Sequence, residues 1–352
     1  MFRDNVVRDA TSIISKLREV IRVYSLRKVY NILMGTLQLW LKSSKLYYLP
    51  TRISIETGNF CNLRCPLCPT GRRQANISRG FMGFEDYTRI IDELRKDLIL
   101  VRLYNWGEPL LNRSIIPMIT YARDSGMSVH LSTNLNILDR QTAHDLMEAN
   151  PIKIFISCDG ASADTYRKYH VGGDFHTVIG NMRLLLEEKK KMPHCHTRVI
   201  WLFHVFRHNE HEVEKAVEMA EILGLEIRIN KMRTDMGKEI FEKARHSIAR
   251  DIEWIPENPK YCAFDLEKNE AKKKISFCPL PWKDTVVNWD GAVLPCCSVC
   301  EEKYSFGNAF SDRFRDIWNG KPYLAARKEL ARRPNRQKTV CHICRENEFT
   351  HF

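Results

Sequence analysis

The chain has 352 residues, and 44% of them are apolar, which supports a folded core and excludes a disordered chain. The formal net charge is +12, but no nucleic-acid-binding motif accompanies it, so nucleic acid is not an expected partner. The N-terminus has no compact apolar run followed by a small-residue cleavage site, which predicts a cytoplasmic protein. The twelve cysteines then indicate metal or redox chemistry rather than disulfides.

The first 50 residues form a basic segment with helical periodicity. They contain nine Lys or Arg against three acidic residues. Apolar residues recur at three-to-four spacing over 13–24, and an uncharged stretch of 13 residues follows at 29–41, shorter than the roughly 20 residues of a bilayer span. We therefore expect helices over 10–45. Two alternatives stay open: these helices pack on the rest of the protein, or they make a peripheral contact with an anionic membrane surface.

Residues 51–232 alternate between strand and helix patterns. The predicted strands are 51–57, 98–104, 128–132, 152–157, 196–205 and 225–230. The predicted helices between them are 84–96, 112–125, 139–148, 175–190 and 210–223. This alternation predicts an α/β fold with a parallel sheet, whose ligands gather at the carboxyl ends of the strands. His204 and His208 follow the fifth strand and are candidates to line such a site.

The alternation stops after residue 232. Residues 233–274 are charged and contain Pro256 and Pro259, so we expect a linker with some helix. Residues 275–352 form a second unit with six cysteines, which are Cys278, Cys296, Cys297, Cys300, Cys341 and Cys344. Three isolated cysteines elsewhere are expected to be packing residues, namely Cys158, Cys195 and Cys262.

Three further cysteines stand close together directly after the first predicted strand, in the run Cys61-Asn-Leu-Arg-Cys65-Pro-Leu-Cys68. A structural zinc site usually takes four ligands, and no fourth Cys or His lies nearby in the sequence. A [4Fe–4S] cluster also normally takes four thiolates, so three ligands leave one iron open to a cofactor or substrate. The loop therefore predicts a catalytic cluster, with a structural zinc site as the alternative.

The C-x3-C-x2-C spacing after a first strand resembles that of the radical S-adenosylmethionine (radical SAM) superfamily. The resemblance implies a partial (β/α)6 barrel with a [4Fe–4S] cluster on Cys61, Cys65 and Cys68. It also implies that S-adenosylmethionine (AdoMet) binds the open iron. One-electron reduction, from a flavodoxin or ferredoxin-type donor, then cleaves AdoMet to a 5′-deoxyadenosyl radical that abstracts hydrogen from the substrate.

Other motifs similar to those of the superfamily follow the second, third and fourth predicted strands. Gly107-Glu108-Pro109 is similar to a Gly-Gly-Glu-Pro motif, although Trp106 replaces the first glycine. Ser132-Thr133-Asn134 ends the third strand, and Ser157-Cys158-Asp159 ends the fourth. The resemblance covers residues 50–232 and implies that AdoMet is bound by Leu67, Gly107, Glu108, Ser132, Asn134, Ser157 and Asp159.

The cysteines of the second unit occur in an order that resembles the SPASM/Twitch domains appended to many radical SAM enzymes. The middle cysteine block of a full SPASM domain is missing. The resemblance therefore implies one auxiliary [4Fe–4S] cluster, whose ligands are Cys278, Cys296, Cys341 and Cys344. Cys297 is an alternative to Cys296 as a ligand. Cys300 is the candidate catalytic hydrogen donor, with a resolving thiol and an inert small side chain as the alternatives.

The predicted activity is hydrogen abstraction from an unactivated C–H bond of a small-molecule substrate. A sugar, a cyclitol or a similar polar metabolite is the first expectation, and the enzyme would be a dehydrogenase or an epimerase. Maturation of a ribosomal peptide is the second candidate. A lipid or lipid-linked substrate at a membrane is the third, because the N-terminus is basic. A zinc-binding interaction protein is the non-enzymatic alternative.

Overall fold

The computed structural model describes residues 25–73, 77–232, 249, 251–272, 277–335 and 337–346. Two predicted segments, the helical residues 10–24 and the linker residues 233–248, lie outside the described residues. The apolar stretch 29–41 falls within the first described helix, α1 (Leu26–Trp40). Ser25 caps this helix by accepting a hydrogen bond from the backbone N–H of Lys28.

The predicted strand–helix alternation and the partial (β/α)6 barrel are confirmed. The strands are β1 (Arg52–Ile55), β2 (Leu100–Leu103), β3 (Ser128–Thr133), β4 (Lys153–Ser157), β5 (Arg198–Val205) and β6 (Glu226–Lys231). They pair in chain order, and every pair is parallel. The helices that connect them are α2 (Phe84–Leu94), α3 (Ile115–Asp124), α4 (Arg140–Ala149), α5 (Ala163–Tyr169), α6 (Phe175–Lys190) and α7 (Val213–Leu223).

Alternation along the strands separates the barrel interior from the helical layer. In β4, Ile154 and Ile156 are fully buried, whereas Lys153, Phe155 and Ser157 extend to the opposite face of the sheet. Because all six strands run in the same direction, their carboxyl ends meet at one mouth of the barrel. The functional motifs predicted from the sequence follow those ends.

Side-chain caps and apolar spacing explain which helices the sequence predicts. Asp139 accepts a hydrogen bond from the backbone N–H of Thr142 (2.7 Å), and this cap begins α4. Helix α5 is only seven residues long and is not predicted from the sequence. Its buried side chains are Tyr166 and Tyr169, and two apolar positions in a polar segment give no periodic signal.

The sheet continues beyond the barrel into the predicted C-terminal domain. After β6, the chain forms a separate hairpin of β7 (Phe264–Asp265) and β8 (Glu270–Ala271). Then β9 (Val286–Val287) pairs in parallel with β1, and β10 (Val293–Leu294) pairs antiparallel with β9. The remaining helices are α8 (Leu280–Lys283), α9 (Phe314–Trp318), α10 (Lys321–Leu330) and α11 (Val340–Glu346).

A buried arginine joins the C-terminal helices to the N-terminal segment. Arg327 is fully buried, and its Nε donates to the carbonyl of Pro281 (2.9 Å). Its Nη1 donates to the carbonyls of Trp318 (2.8 Å) and Ser44 (3.2 Å). No helix within the described ranges combines the length and the apolar character needed to cross a bilayer.

Candidate active site

The three cysteines after β1 line one cavity at the barrel mouth. The loop turns tightly, with the N–H of Cys68 donating to the carbonyl of Cys65 (3.2 Å) and the N–H of Leu63 to the Cys61 sulfur (3.4 Å). Burial raises the pKa of all three thiols, that of Cys61 to about 12. Burial therefore favours the protonated thiols, and a bound metal deprotonates its thiol ligands.

The predicted polar positions meet at the same cavity. They come from the ends of β2, β3 and β4, and the cavity lining includes Gly107, Glu108, Ser132, Asn134, Ser157 and Asp159. Leu67 differs, since it is buried in an apolar cluster with Tyr169 and Phe206, which themselves line the cavity. The structure therefore brings six of the seven predicted positions into the cavity and places Leu67 behind its apolar wall.

Gly107 stands where two stretches of backbone touch. A Cβ added to it would lie 2.0 Å from the carbonyl oxygen of Gly58, so only glycine fits at this position. The neighbouring Trp106, which replaces the expected glycine, donates its backbone N–H to Glu56 (3.2 Å). The Trp106 indole nitrogen is buried, and it has no hydrogen-bond partner within the part of the chain that the structure describes.

Glu108 ties the end of β2 to the end of β3. Its carboxylate accepts hydrogen bonds from the hydroxyl of Thr133 and the N–H of Asn134 (both 2.7 Å) and from the N–H of Leu110 (3.1 Å). Burial raises the pKa of Glu108 to about 7, although these three bonds oppose the shift. The Asn134 amide in turn lies 3.7 Å from the Cys61 sulfur, so this network reaches the cysteine loop.

Asp159 connects two histidines to the cysteine loop. Its Oδ1 accepts from the N–H of His204 (2.6 Å), and its Oδ2 lies 3.1 Å from His170 Nε2. The other ring nitrogen of His170 lies 3.6 Å from the Cys65 sulfur. Burial alone would raise the pKa of Asp159, but the charges and hydrogen bonds of the two histidines outweigh it and hold that pKa well below its usual range.

His204 and His208 were the histidines expected at the site, whereas His170 was not expected. Both histidines line the cavity, whereas His208 is not among the lining residues. Tyr104, Tyr169 and Phe206 also line it and were not predicted. His170 comes from the loop after α5, a helix that the sequence analysis did not predict, and no recognisable motif surrounds it.

Part of the predicted linker packs against the cysteine loop. Ile255, Cys262 and Phe264 are buried in the same apolar cluster as Leu67, and Trp254 packs against that cluster. This segment therefore covers one side of the loop. Cys262 is buried as expected for a packing residue, and so are Cys158 and Cys195.

The four predicted auxiliary ligands approach one another. The pKa of Cys341 is raised well above its usual value. Burial is the largest cause, and the nearby thiols of Cys296, Cys278 and Cys344 raise this pKa further. Cys297 also lies within electrostatic range of Cys278 and Cys296, so both ligand alternatives remain predictions. Cys297 is exposed, in contrast to the buried Cys341.

Cys300 lies toward the first cysteine group. Its thiol is buried, and burial, followed by the charges of Glu301, Glu56 and Cys68, raises its pKa to about 12. A thiol with this pKa keeps its hydrogen at neutral pH. The position of Cys300 is therefore compatible with the predicted hydrogen donor, which stays a prediction.

A barrel mouth that holds a three-cysteine loop, next to a second group of cysteines, defines an enzyme that works with iron–sulfur clusters. Residues 55–220 match the radical SAM superfamily, and residues 278–345 match SPASM, an iron–sulfur cluster-binding domain. The chain belongs to the radical SAM superfamily and carries a C-terminal SPASM domain. Its cofactors are a [4Fe–4S] cluster, an auxiliary iron–sulfur cluster and AdoMet, as predicted.

Relatives of known function cover most of the chain. The AdoMet-dependent heme synthase of Methanosarcina barkeri is 24% identical over 330 residues, which cover 84% of this chain and 88% of that protein. The mycofactocin maturase MftC of Mycobacterium ulcerans is 21% identical over 295 residues, covering 80% and 77% respectively. The structure of Streptococcus suis SuiB bound to precursor peptide SuiA matches with a TM-score of 0.60 at 14% identity, covering 82% of this chain and 69% of that chain. That structural likeness shows the fold.

Proposed function

We propose that Cys61, Cys65 and Cys68 hold the [4Fe–4S] cluster and that AdoMet occupies the rest of the cavity. The donor set fits this assignment, because three thiols share one cavity and no fourth cysteine of the described chain lines it. The polar positions proposed to bind AdoMet line the same cavity, and they are Gly107, Glu108, Ser132, Asn134, Ser157 and Asp159. Leu67 supports the apolar wall.

The chemistry that the cluster and AdoMet supply when bound is reductive cleavage to a 5′-deoxyadenosyl radical, which abstracts hydrogen from the substrate. The protein's part is to fix the shape of the cavity. Glu108 uses its carboxylate within the protein, so the backbone at Gly107 is left to meet the AdoMet amino group. The rings of Tyr169 and Phe206 stack with their centroids 4.3 Å apart and form part of the apolar wall. A flavodoxin or ferredoxin-type protein is the proposed electron donor.

We further propose that the substrate is a ribosomally made peptide rather than a sugar or cyclitol. The observation that carries this proposal is the outer edge of β6, which pairs with no strand among the described residues. An extended peptide can add to such an edge through backbone hydrogen bonds. β6 is the strand next to β5, whose end carries His204 at the cavity. The similarity to a maturase, MftC, supports the same choice.

Co-expression tests the peptide proposal. The enzyme is produced anaerobically with each short peptide encoded beside its gene, and the peptides are analysed by mass spectrometry. We expect one peptide to change in mass or in retention time, and the change to be absent with the Cys65→Ala variant. The peptide proposal is contradicted if every peptide stays unchanged and a small-molecule extract stimulates the release of 5′-deoxyadenosine. The substrate would then be a polar metabolite.

The fate of the substrate radical depends on what lies beside it. An oxidised product requires an electron acceptor, which the auxiliary cluster proposed on Cys278, Cys296, Cys341 and Cys344 would provide. An inverted product requires a hydrogen donor, and the buried thiol of Cys300 is the candidate. Replacement of the Cys300 side chain therefore distinguishes the two outcomes.

A further inference from the structure

Deeper than the strand ends, the interior face of the barrel carries a second group of neighbouring polar and aromatic side chains. We call it the inner chamber, and its residues are Arg102, Tyr104, His130, Phe155 and Arg228. Phe155 stands among the others, with its ring centre 5.4 Å from the guanidinium carbon of Arg228, 5.6 Å from the His130 ring and 6.4 Å from the Tyr104 ring. Tyr104 also lines the cavity of the cysteine loop, so the inner chamber adjoins that cavity.

The inner chamber is rich in positive charge. Burial, followed by the charges of Lys153, Arg102 and Arg228, lowers the pKa of His130 to about 4, so this ring is neutral near pH 7. Arg102 forms an ion pair with Asp284. The Nε of Arg102 is nevertheless buried and has no hydrogen-bond partner among the described residues.

The chamber and its rim hold more cationic than anionic side chains: Arg102, Lys153, Arg198 and Arg228 face the carboxylates of Asp284 and Glu226. Arg198 pairs with Glu226, whose charge also reaches Arg228 and Lys153. Together with the Arg102 pair, this leaves Arg228 and Lys153 without a carboxylate of their own in the part of the chain that the structure describes. The Arg228 guanidinium lies over the Phe155 ring, and its side chain is exposed.

We propose that the inner chamber binds an anionic group of the substrate, a carboxylate or a phosphate, with Arg228 as the principal contact. A guanidinium offers paired donors that match either oxyanion. The inference rests on the proposed function, because it concerns the substrate of the same site. For a peptide, an acidic side chain or the C-terminal carboxylate supplies the required group.

Thermal unfolding of the reconstituted protein with AdoMet measures anion binding without the natural substrate. The probes are inorganic phosphate, the blocked peptide acetyl-Gly-Glu-Gly-amide and its uncharged glutamine counterpart. We expect phosphate or the glutamate peptide to raise the melting temperature of the wild type. Arg228→Gln should require about ten times more probe for half of the rise, since a charge-assisted hydrogen bond contributes roughly that factor.

Two variants serve as controls for this experiment. Arg228→Lys keeps the charge but loses the paired donors, so its response should lie between those of the wild type and Arg228→Gln. Arg183→Gln removes an exposed arginine from α6 and should respond like the wild type. A response to phosphate alone, or to the glutamate peptide alone, supports the proposal and identifies the group. Equal responses of wild type and Arg228→Gln to both probes overturn it. The measurement needs no reductant, so it can fail while radical chemistry on a peptide succeeds.

A different observation concerns α1, which docks with its polar side inward. Lys28 Nζ donates to the carbonyl of Gly126 (2.6 Å), and Asn31 Nδ2 donates to Asp97 Oδ1 (2.8 Å). Gln38 accepts from the backbone N–H of Tyr47 (2.8 Å). Lys28, Asn31 and Gln38 are all buried. The bonds of Lys28 and Asn31 therefore attach this helix to the barrel, and Val29 is buried beside them.

The opposite side of α1 carries an exposed apolar stripe. Its side chains recur every three or four residues and are between 41% and 78% exposed; they are Leu26, Tyr30, Leu33, Leu37, Trp40 and Leu41. We call this stripe the outer face. Residues at this spacing share one side of a helix. Large contiguous apolar surfaces of this kind mark sites of association.

We propose that the outer face lies on an anionic phospholipid surface, in the plane of the headgroups. Residues 25–50 contain four basic and no acidic residues, and among them Lys42 and Lys45 are exposed near the end of the stripe. Exposed Trp and Tyr side chains favour the same interface. A symmetric dimer through this face would bring the like charges of two copies together, which disfavours a second copy as the occupant.

Co-sedimentation of the full-length protein with vesicles tests this proposal. The vesicles are pure phosphatidylcholine, or phosphatidylcholine and phosphatidylglycerol in equal parts. We expect binding to the anionic vesicles only, weakened by salt. The double variant Leu33→Ser, Leu37→Ser should bind at least about tenfold more weakly. Binding of this variant no longer transfers two leucine side chains from water to the lipid surface.

The matched control is Ile222→Ser, which removes an 84% exposed side chain from α7, outside the stripe. It should bind vesicles like the wild type. Equal vesicle binding by the double variant and this control overturns the proposal. So does a wild type that ignores vesicles and instead forms a concentration-dependent dimer that the double variant lacks, since a second copy then covers the outer face.

Discussion

Replacing Gly107 with alanine tests the contact that joins the end of β2 to the cysteine loop. The new Cβ would lie 2.0 Å from the carbonyl oxygen of Gly58 and 2.8 Å from the Cα of Asn59. Both are backbone atoms, so no side chain can rotate away. The loop after β1 must shift by roughly 1 Å or more to approach a contact distance of about 3.5 Å.

The structure sets the expected magnitude of this effect. Overpacking of a filled site costs about 1–3 kcal/mol. The shift also weakens the hydrogen bond from the Glu108 N–H to the carbonyl of Phe60 (2.8 Å), which contributes about 1 kcal/mol. The free energy of unfolding should therefore fall by roughly 2–4 kcal/mol. AdoMet affinity should fall at least about tenfold, because the cavity wall beside Cys61 moves.

Urea unfolding of the apoprotein and equilibrium dialysis of the reconstituted protein with labelled AdoMet provide the two measurements. Gly180→Ala is the matched control, since a Cβ at this position in α6 meets no atom within 4 Å. It should raise stability by up to about 1 kcal/mol, because alanine is the better helix former, and leave AdoMet affinity unchanged. If Gly107→Ala behaves like this control in both measurements, the steric argument is refuted.

The remaining predictions concern iron, hydrogen transfer and pH. Anaerobically reconstituted protein should hold about eight irons, and replacing Cys61, Cys65 and Cys68 together with alanine should remove about half; an unchanged iron content contradicts the assignment. Cys300→Ala should leave a dehydrogenase nearly intact, but in an epimerase it should permit AdoMet cleavage and prevent formation of the inverted product; loss of auxiliary-cluster iron would instead make Cys300 a ligand. Burial raises the pKa of Glu108 from 4.5 to about 7, so the folded apoprotein should lose up to about 3 kcal/mol of stability as pH rises through that range. Urea unfolding at about pH 5 and about pH 8 should show a smaller loss in Glu108→Gln than in the wild type. Part of the loss persists in the variant, because burial also raises the pKa of Glu56 to about 7.

The parts of the site that follow strand ends could be predicted from the sequence. Strand alternation places Ser132 and Ser157 on the interior face, and parallel pairing brings their strands to the same mouth. His170 could not be predicted in this way. It lies 105 positions from Cys65 in the sequence, and only the path of the loop after α5 brings the two side chains together.

Helix α1 shows a second limit of sequence reasoning. Spacing predicts an amphipathic helix and identifies its two sides, but it does not say which side faces the protein. The usual expectation buries the apolar side. Here Asn31 is buried against Asp97, and Leu33 and Trp40 are exposed. The deciding partners come from residues far along the chain, so no local pattern contains this information.

β1 has consequences for any attempt to divide this protein. Ser54 N donates to the carbonyl of Thr285 and Glu56 N to that of Val287, both at 2.9 Å, so the strand leading to Cys61 shares a hydrogen-bond ladder with β9. Truncation before residue 277 would expose that ladder as an unpaired sheet edge, which invites aggregation. The same ladder fixes the spacing between the two cysteine groups. An electron that passes between them crosses a distance set by the sheet rather than by a flexible tether.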